Sequence, residues 1–272
     1  MELEGKRDEF ARQGLRVASV SYDSVAVLKA FAGRTHISYP MLSDPDSRII
    51  RDFGILNEEV PAGTLLYGIP YPGTYVVDPH GVVRGKFFEP DYRERYTAGS
   101  ILLKASPAAT LRGWAELQTP HLKLRYRASD NTVHGGSRAT LLMEVSLKPK
   151  MHVYAPGVRS SYIPIKWEMA SGAWKAGEAR WPASKMLRLP AIGETVPVYE
   201  GLLATSREIT FSQQKELLAA AGEARQVSVE STFRYQACDD KQCYQPVEVP
   251  LKYTFGVETL DFERAPQALR RK

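Results

Sequence analysis

The sequence predicts two domains of different class, an α/β unit followed by an all-β sandwich. Three observations support this. Over residues 1–106, stretches with helical spacing alternate with short β-rich runs, the rhythm of an α/β layer fold. From residue 119 to 258, short runs of alternating apolar and polar residues follow one another between turn residues, as in an antiparallel sandwich. Between them, "SPAATLRGWAELQTP" marks the change of rhythm and places a linker at 107–118.

In the first unit, Glu2–Gln13 is charged with an apolar face through Leu3, Phe10 and Ala11, and predicts a helix. "LRVASVSYD" (15–23) reads as a buried strand, and "SVAVLKAFAGRTH" (24–36) as a helix with Ser24 or Asp23 as its N-cap. "YPMLSDPDSRIIRDFGI" predicts a short strand, a turn and a helix ending near Gly54. Asp78-Pro79-His80-Gly81 joins two β-rich runs as a hairpin, and 91–106 closes the unit as a helix. In the second unit, "LKLRYRAS", "ATLLMEVSLKP", "PIKWEMAS", "REITFS", "QVSVESTFRYQAC" and "VEVPLKYTF" are strands of an immunoglobulin-like sandwich, with a helical insertion at 212–224. The polar tail 259–272 is expected to fray.

Composition excludes some roles. The net charge of +5 comes from Lys and Arg spread among Asp and Glu, unlike the clustered footprint of a nucleic-acid binder. No apolar run approaches the roughly 18 residues that suggest a spanning helix. The first residues, "MELEGKRDEFARQG", lack the apolar core and cleavage site of a secretory signal.

The phrases "VSYDSVAVLKAF", "YPMLSDPDSRIIRDFGIL" and "GIPYPGTYVVDPHGVVRGKFFE" resemble, in order and spacing, the peroxiredoxin and alkyl-hydroperoxide-reductase branch of the thioredoxin-like superfamily. The resemblance implies a thioredoxin-like fold and makes Pro72 the candidate for a cis-proline before the strand beside the active site. It also implies a reactive cysteine upstream of the helix that Glu2–Gln13 resembles. No cysteine occurs before residue 238, so this unit as given cannot run peroxidase chemistry, and it is expected to be an incomplete thioredoxin-like domain lacking a central strand and leaving unpaired edges. The start is expected to be truncated.

The chain's two cysteines, Cys238 and Cys243, stand in "YQACDDKQCYQPVEVPL" with four residues between them. Three readings are open. A metal half-site needs two further ligands, and none of the five histidines forms an H-x3–5-H pattern, so no metal is expected. A structural disulfide closing so short a loop stabilises by roughly 2 kcal/mol in the chain-entropy model. A redox-active pair on a loop between strands lets a partner thiolate reach one sulfur. Asp239 and Asp240 disfavour a thiolate and Lys241 favours one, so local charge does not decide.

"FRYQACDDKQCYQPVEVPL", with "VSLKPKMHVYAPG" and "VPVYEGLLATSREITF", resembles the N-terminal periplasmic domain of the DsbD thiol:disulfide interchange family. The resemblance implies an immunoglobulin-like sandwich whose cysteine pair receives electrons from a membrane redox protein and passes them to thioredoxin-like proteins, with no cofactor. Cys238 and Cys243 fall on the redox cysteines, with Cys238 taken as the sulfur attacked. Tyr154 falls on an aromatic position lining the site, His152 replaces a second, and Pro246 resembles a proline after the second cysteine. The family's cap over the disulfide corresponds to "LRLPAIGETVPVYEG" (187–201), where Glu194 and Tyr199 take the covering roles. The expected function is therefore an extracytoplasmic, periplasmic thiol-disulfide oxidoreductase. The alternatives are a fragment of a peroxiredoxin-like antioxidant enzyme with an accessory sandwich, and an interaction module with a structural disulfide.

Overall fold

The computed structural model describes residues 2–64, 66–89, 91, 93–106, 113–159, 161–189, 193–261, 263 and 265–269. Two compact units are present, Met1–Ala109 with Leu260–Lys272, and Thr110–Thr259.

The first unit runs α1 (Glu2–Arg12), β1 (Ser19–Ser21), α2 (Val25–Thr35), β2 (Met41–Ser43), α3 (Arg48–Asp52), β3 (Gly73–Val77), β4 (Val83–Phe88), β5 (Arg95–Tyr96) and α4 (Ala98–Ala105). Helix starts are set by side chains that accept from orphan backbone donors. Ser24 accepts from Val27 N at the start of α2, and Thr97 from Ser100 N at the start of α4. The buried Asp44 carboxylate accepts from Arg48 N and Ile50 N, both at 2.9 Å, to begin α3. Asp78 closes the β3–β4 hairpin by accepting from His80 N and Val82 N, which holds its carboxyl below the usual range together with Arg84.

Phe10 of α1 packs with Ala98, Ile101 and Leu102 of α4 to form this unit's core. Four of its strands form two separate pairs, β1–β2 parallel and β3–β4 antiparallel, and among the described residues no strand joins them. The run 15–23 is shorter as a strand than expected and is not buried: Val20 is 41% exposed. No described peptide bond is cis, which corrects the expectation for Pro72. In the tail, Arg34 lies 2.7 Å from Asp261 and 3.1 Å from Glu263, surface ion pairs within the first unit, and residues 262, 264 and 270–272 lie outside the described residues.

The second unit is strand-rich. It runs β6 (Ala115–Gln118), β7 (Leu122–Ala128), β8 (Thr132–Val133), β9 (Ser137–Leu147), β10 (His152–Tyr154), β11 (Lys166–Met169), β12 (Trp174–Arg180), β13 (Lys185–Leu189), β14 (Glu194–Glu200), β15 (Leu202–Phe211), α5 (Gln214–Ala221), β16 (Gln226–Tyr235), β17 (Ala237–Cys238) and β18 (Val247–Val257). One sheet is ordered β12-β15-β9-β7-β6, a second β11-β16-β18-β8, and a third β13-β14-β10-β17.

Period-two alternation aims one face of each long strand inward. On β18, Val249, Leu251, Tyr253, Phe255 and Val257 are buried, while Glu248, Pro250, Lys252 and Thr254 between them are exposed. On β9, Ala139, Leu141, Met143, Val145 and Leu147 do the same from the opposing sheet, and both sets join one core.

Part of the expected linker is strand. Residues 107–112 lie outside the described residues, but Ala115–Gln118 forms β6, paired antiparallel with β7 so that Leu117 faces Leu124. The Thr119 turn, closed by its backbone N–H to Leu122 O at 2.9 Å, makes the hairpin.

Gly135 shows how tightly α5 is seated. A Cβ there would lie 2.2 Å from Gln214 N at the helix start, against backbone that cannot swing aside. Gly135→Ala is expected to destabilise the protein by about 1–3 kcal/mol, read by urea unfolding; an unchanged midpoint would show that α5 shifts freely.

Candidate redox site

The two cysteines sit on a tight hairpin. Tyr244 N donates to Ala237 O at 2.9 Å and Asp239 N to Gln242 O at 3.0 Å, which leaves Cys238 and Cys243 directly opposed as a non-hydrogen-bonded pair. Side chains approach most closely at such pairs. The cysteines are joined there by a disulfide, with their Cα atoms 4.0 Å apart.

Asp239 builds the turn. Its Oδ1 accepts from Lys241 N and Gln242 N, both at 2.8 Å, and its Oδ2 accepts from the Tyr244 hydroxyl at 2.8 Å. These bonds hold the carboxyl below its ordinary range. Asp239 is therefore a structural carboxylate, and its first role is to fix the hairpin rather than to tune a sulfur.

The hairpin docks on the third sheet. His152 lies opposite Cys238 on one side and opposite Glu200 on the other. Residues directly opposed across strands share a face, so Glu200, His152, Cys238 and Cys243 form one row across four strand segments.

Tyr154, two residues along β10, occupies the same face in the neighbouring row. Its hydroxyl lies 3.7 Å from Cys238 Sγ and 3.6 Å from Cys243 Sγ. Disulfide sulfurs carry no proton, so the phenol is the donor. Burial keeps the Tyr154 phenol above its ordinary pKa, and so protonated.

The two cysteines differ in exposure. Cys238 is 1% exposed, within a small cluster of Tyr154, Val196 and Val198. Cys243 is exposed. Cys238, the sulfur expected to be attacked, is thus the less accessible residue of the pair. The edge of the hairpin presents Cys243 to solvent, and Cys238 is covered by the sheet below.

The expected cap at 187–201 is largely a β-hairpin, β13–β14, with residues 190–192 outside the described residues. Its two expected members separate. Glu194 accepts from the Tyr162 hydroxyl at 2.6 Å, and the Tyr162 ring packs on Tyr154 with centroids 4.5 Å apart. Glu194 thus reaches the disulfide through two packed tyrosines, Tyr162 and Tyr154.

Tyr199 does not line the site. It pairs with Val153, faces the main core, and donates to Pro182 O at 2.8 Å. Odd and even positions of β14 point to opposite faces, so Val196 and Val198 meet the disulfide cluster and Tyr199 cannot. Pro246 is half-buried between Cys243 and the start of β18. Pro72 belongs to the first unit.

Tyr162 was not singled out in the sequence; its one sequence signal is its place eight residues beyond Tyr154, in a loop. The Glu194 carboxylate pushes its phenol up to about 12. Glu194→Gln is expected to return this titration toward 10, read by NMR of ring-labelled tyrosine. A titration still near 12 in that variant would remove Glu194 as the cause.

A cleft of about 370 Å³ adjoins this cover and is lined by Arg159, Tyr162 and Glu194 among others. Among the described residues no group of three or more His, Cys, Asp or Glu side chains is placed to hold a metal ion. No described helix is long and apolar enough to cross a membrane.

Comparison with known proteins matches these two units separately. Residues 1–86 match the AhpC/TSA family, and residues 122–252 match the family described as thiol:disulfide interchange protein DsbD, N-terminal. Alkyl hydroperoxide reductase C of Staphylococcus saprophyticus is 37% identical over 87 residues, which are 30% of this chain and 42% of that protein. The Staphylococcus aureus protein of the same name is 32% identical over 94 residues, 33% of this chain and 46% of that one. The chain thus spans less than half the length of these curated relatives.

Among solved structures, the N-terminal periplasmic domain of ScsB from Proteus mirabilis aligns with a TM-score of 0.34 and 13% identity over 53% of this chain and 50% of that one. The reduced N-terminal domain of DsbD from Neisseria meningitidis aligns with a TM-score of 0.28 and 13% identity over 42% of this chain and 79% of that one. The chain therefore joins a thioredoxin-like segment that matches the AhpC/TSA family to an immunoglobulin-like sandwich segment that matches the DsbD N-terminal family, both families being related to thiol–disulfide oxidoreductases.

Proposed function

We propose that the second unit is an extracytoplasmic thiol–disulfide oxidoreductase module that relays electrons through Cys238–Cys243. The observation that carries this reading is the asymmetry of the disulfide: Cys243 is exposed at a hairpin edge, and Cys238 is buried beneath it. A staple needs no exposed sulfur, whereas exchange requires one sulfur open to in-line attack and a second held as the leaving group.

A partner thiolate attacks Cys243 Sγ, the Cys243–Cys238 bond breaks, and its electron pair leaves on Cys238 Sγ. A mixed disulfide between the partner and Cys243 results. The partner's second thiolate then attacks the partner sulfur of that bond and releases Cys243. The partner dithiol is oxidised and the pair is reduced, two electrons in all.

The partners in this reading are thioredoxin-like or membrane redox proteins, consistent with the family matched by residues 122–252. The cleft lined by Arg159, Tyr162 and Glu194 offers such a partner a recess, and its Tyr162 packs on the Tyr154 that meets both sulfurs.

The test is incubation of the oxidised protein with a reduced thioredoxin-like protein, followed by alkylation of new thiols. Transfer of two reducing equivalents per chain supports the reading. A disulfide left intact by such proteins, though open to small thiols, would return it to an interaction module.

A further inference from the structure

His152 is an unusual neighbour for a buried cysteine. It is 5% exposed, and its Nε2 is buried with no hydrogen-bond partner among the described residues. An unsatisfied buried imidazole nitrogen costs free energy unless the site uses it in another state. The sheet register places this ring directly opposite Cys238, on the same face.

We propose that His152 Nε2 is the proton acceptor and donor of the Cys238 sulfur during exchange. This rests on the exchange reading, because only an opening disulfide gives Cys238 a proton to take or lose. The argument is one of need as well as place. When Cys243 is attacked, Cys238 leaves as an anion in a site 1% exposed, where burial disfavours charge. As negative charge grows on that sulfur, the imidazole takes up the proton that the partner's second thiol must lose before it attacks. The proton then rests on Nε2, on the same face as the Cys238 anion. In the reverse direction Nε2 removes the Cys238 proton as that sulfur attacks the mixed disulfide at Cys243. No proton or electron is left over in either direction.

The other groups facing the ring are consistent with this duty. From β14, Glu200 flanks it and is itself 3.7 Å from Lys185 of β13. Beyond β17, the Asp239 carboxylate is occupied by its turn and by Tyr244. On its own strand Tyr154 meets it edge-on, with centroids 5.6 Å apart, and its hydroxyl is directed to the sulfurs. Burial holds the oxidised-state imidazole neutral by pushing its pKa down, while Glu200 and Asp239 pull it back up. A neutral ring with a vacant nitrogen is the form that can accept a proton.

The experiment follows the His152 ring by nitrogen-edited NMR in the full, unmutated chain, oxidised and then reduced with dithiothreitol. Opening the disulfide is expected to raise its titration point by about one unit, a tenfold change in proton affinity. An identical titration in the two states would overturn the proposal.

A second measurement is the rate of disulfide reduction by dithiothreitol across pH, corrected for the fraction of reagent thiolate. The native protein is expected to show a step at the His152 titration, with an acid-side rate about tenfold higher because Nε2 there already carries the proton that stabilises the leaving Cys238 anion. His152→Phe and His152→Gln are both expected to be flat, and a step that survives in either contradicts the assignment. Dithiothreitol opens the disulfide whether or not a protein partner exists. A silent His152 in a protein that still exchanges with thioredoxin-like partners removes this inference alone. A responsive His152 in a disulfide that such partners ignore removes the relay instead.

Discussion

Cys238→Ser is expected to accumulate a covalent adduct through Cys243 when mixed with a thioredoxin-like protein bearing an oxidised pair, and Cys243→Ser is expected to accumulate none. Cys243 is exposed and free to attack in the first variant, and the sulfur that would resolve the adduct is gone. In the second, the remaining sulfur belongs to a residue 1% exposed, packed in a cluster with Tyr154, Val196 and Val198. Exchange rates follow access as well as thiolate character. The check is a non-reducing gel with mass spectrometry of the adduct. Near-complete trapping in Cys238→Ser alone fits the geometry. Equal trapping in both variants would show that the hairpin opens in solution and that burial does not choose the sulfur.

Phe255→Ala is expected to cost about 3–5 kcal/mol in stability. Phe255 is fully buried and meets Phe211 nearly edge-on at 5.0 Å, so one truncation opens a cavity between the two principal sheets. Urea unfolding reads the loss. A cost below about 1 kcal/mol would mean that the sandwich collapses into the space, and that the platform under the third sheet is softer than its packing implies. Exchange competence should survive at low temperature in this variant, because the mutation leaves the hairpin untouched.

Much of the architecture was legible because period and punctuation agree. The alternation of "VEVPLKYTF" and "QVSVESTFRY" decides β18 and β16, and the Ser24 cap decides the start of α2. Where the reading fell short, local residues under-determine the outcome. Ala115–Gln118 is too short and too polar to announce a strand, and it becomes one only because β7 offers an edge. The stretch 187–201 looked like a covering loop, but "KMLRL" and "ETVPVYE" pair as a hairpin, and their register decides which side chains meet the disulfide.

That register explains the fate of the site residues. Tyr199 and Glu194 lie five positions apart on one strand: Tyr199 is turned to the core, and Glu194 reaches the site only through Tyr162. The row of Glu200, His152, Cys238 and Cys243 joins segments about 90 residues apart, a separation across which composition and spacing carry no signal. The choice between the two sulfurs depended on the same tertiary fact. Both stand in one short motif, and only the docking of β17 against β10 makes one of them inaccessible.

The central claim is that Cys238–Cys243 opens and closes in use. Its most direct test is the reduction potential of the pair, by equilibration of the full chain in glutathione and dithiothreitol buffers. A value between about −180 and −270 mV, the span of exchange-active proteins, is the result expected here. A value below about −300 mV would contradict it and make the disulfide a structural staple.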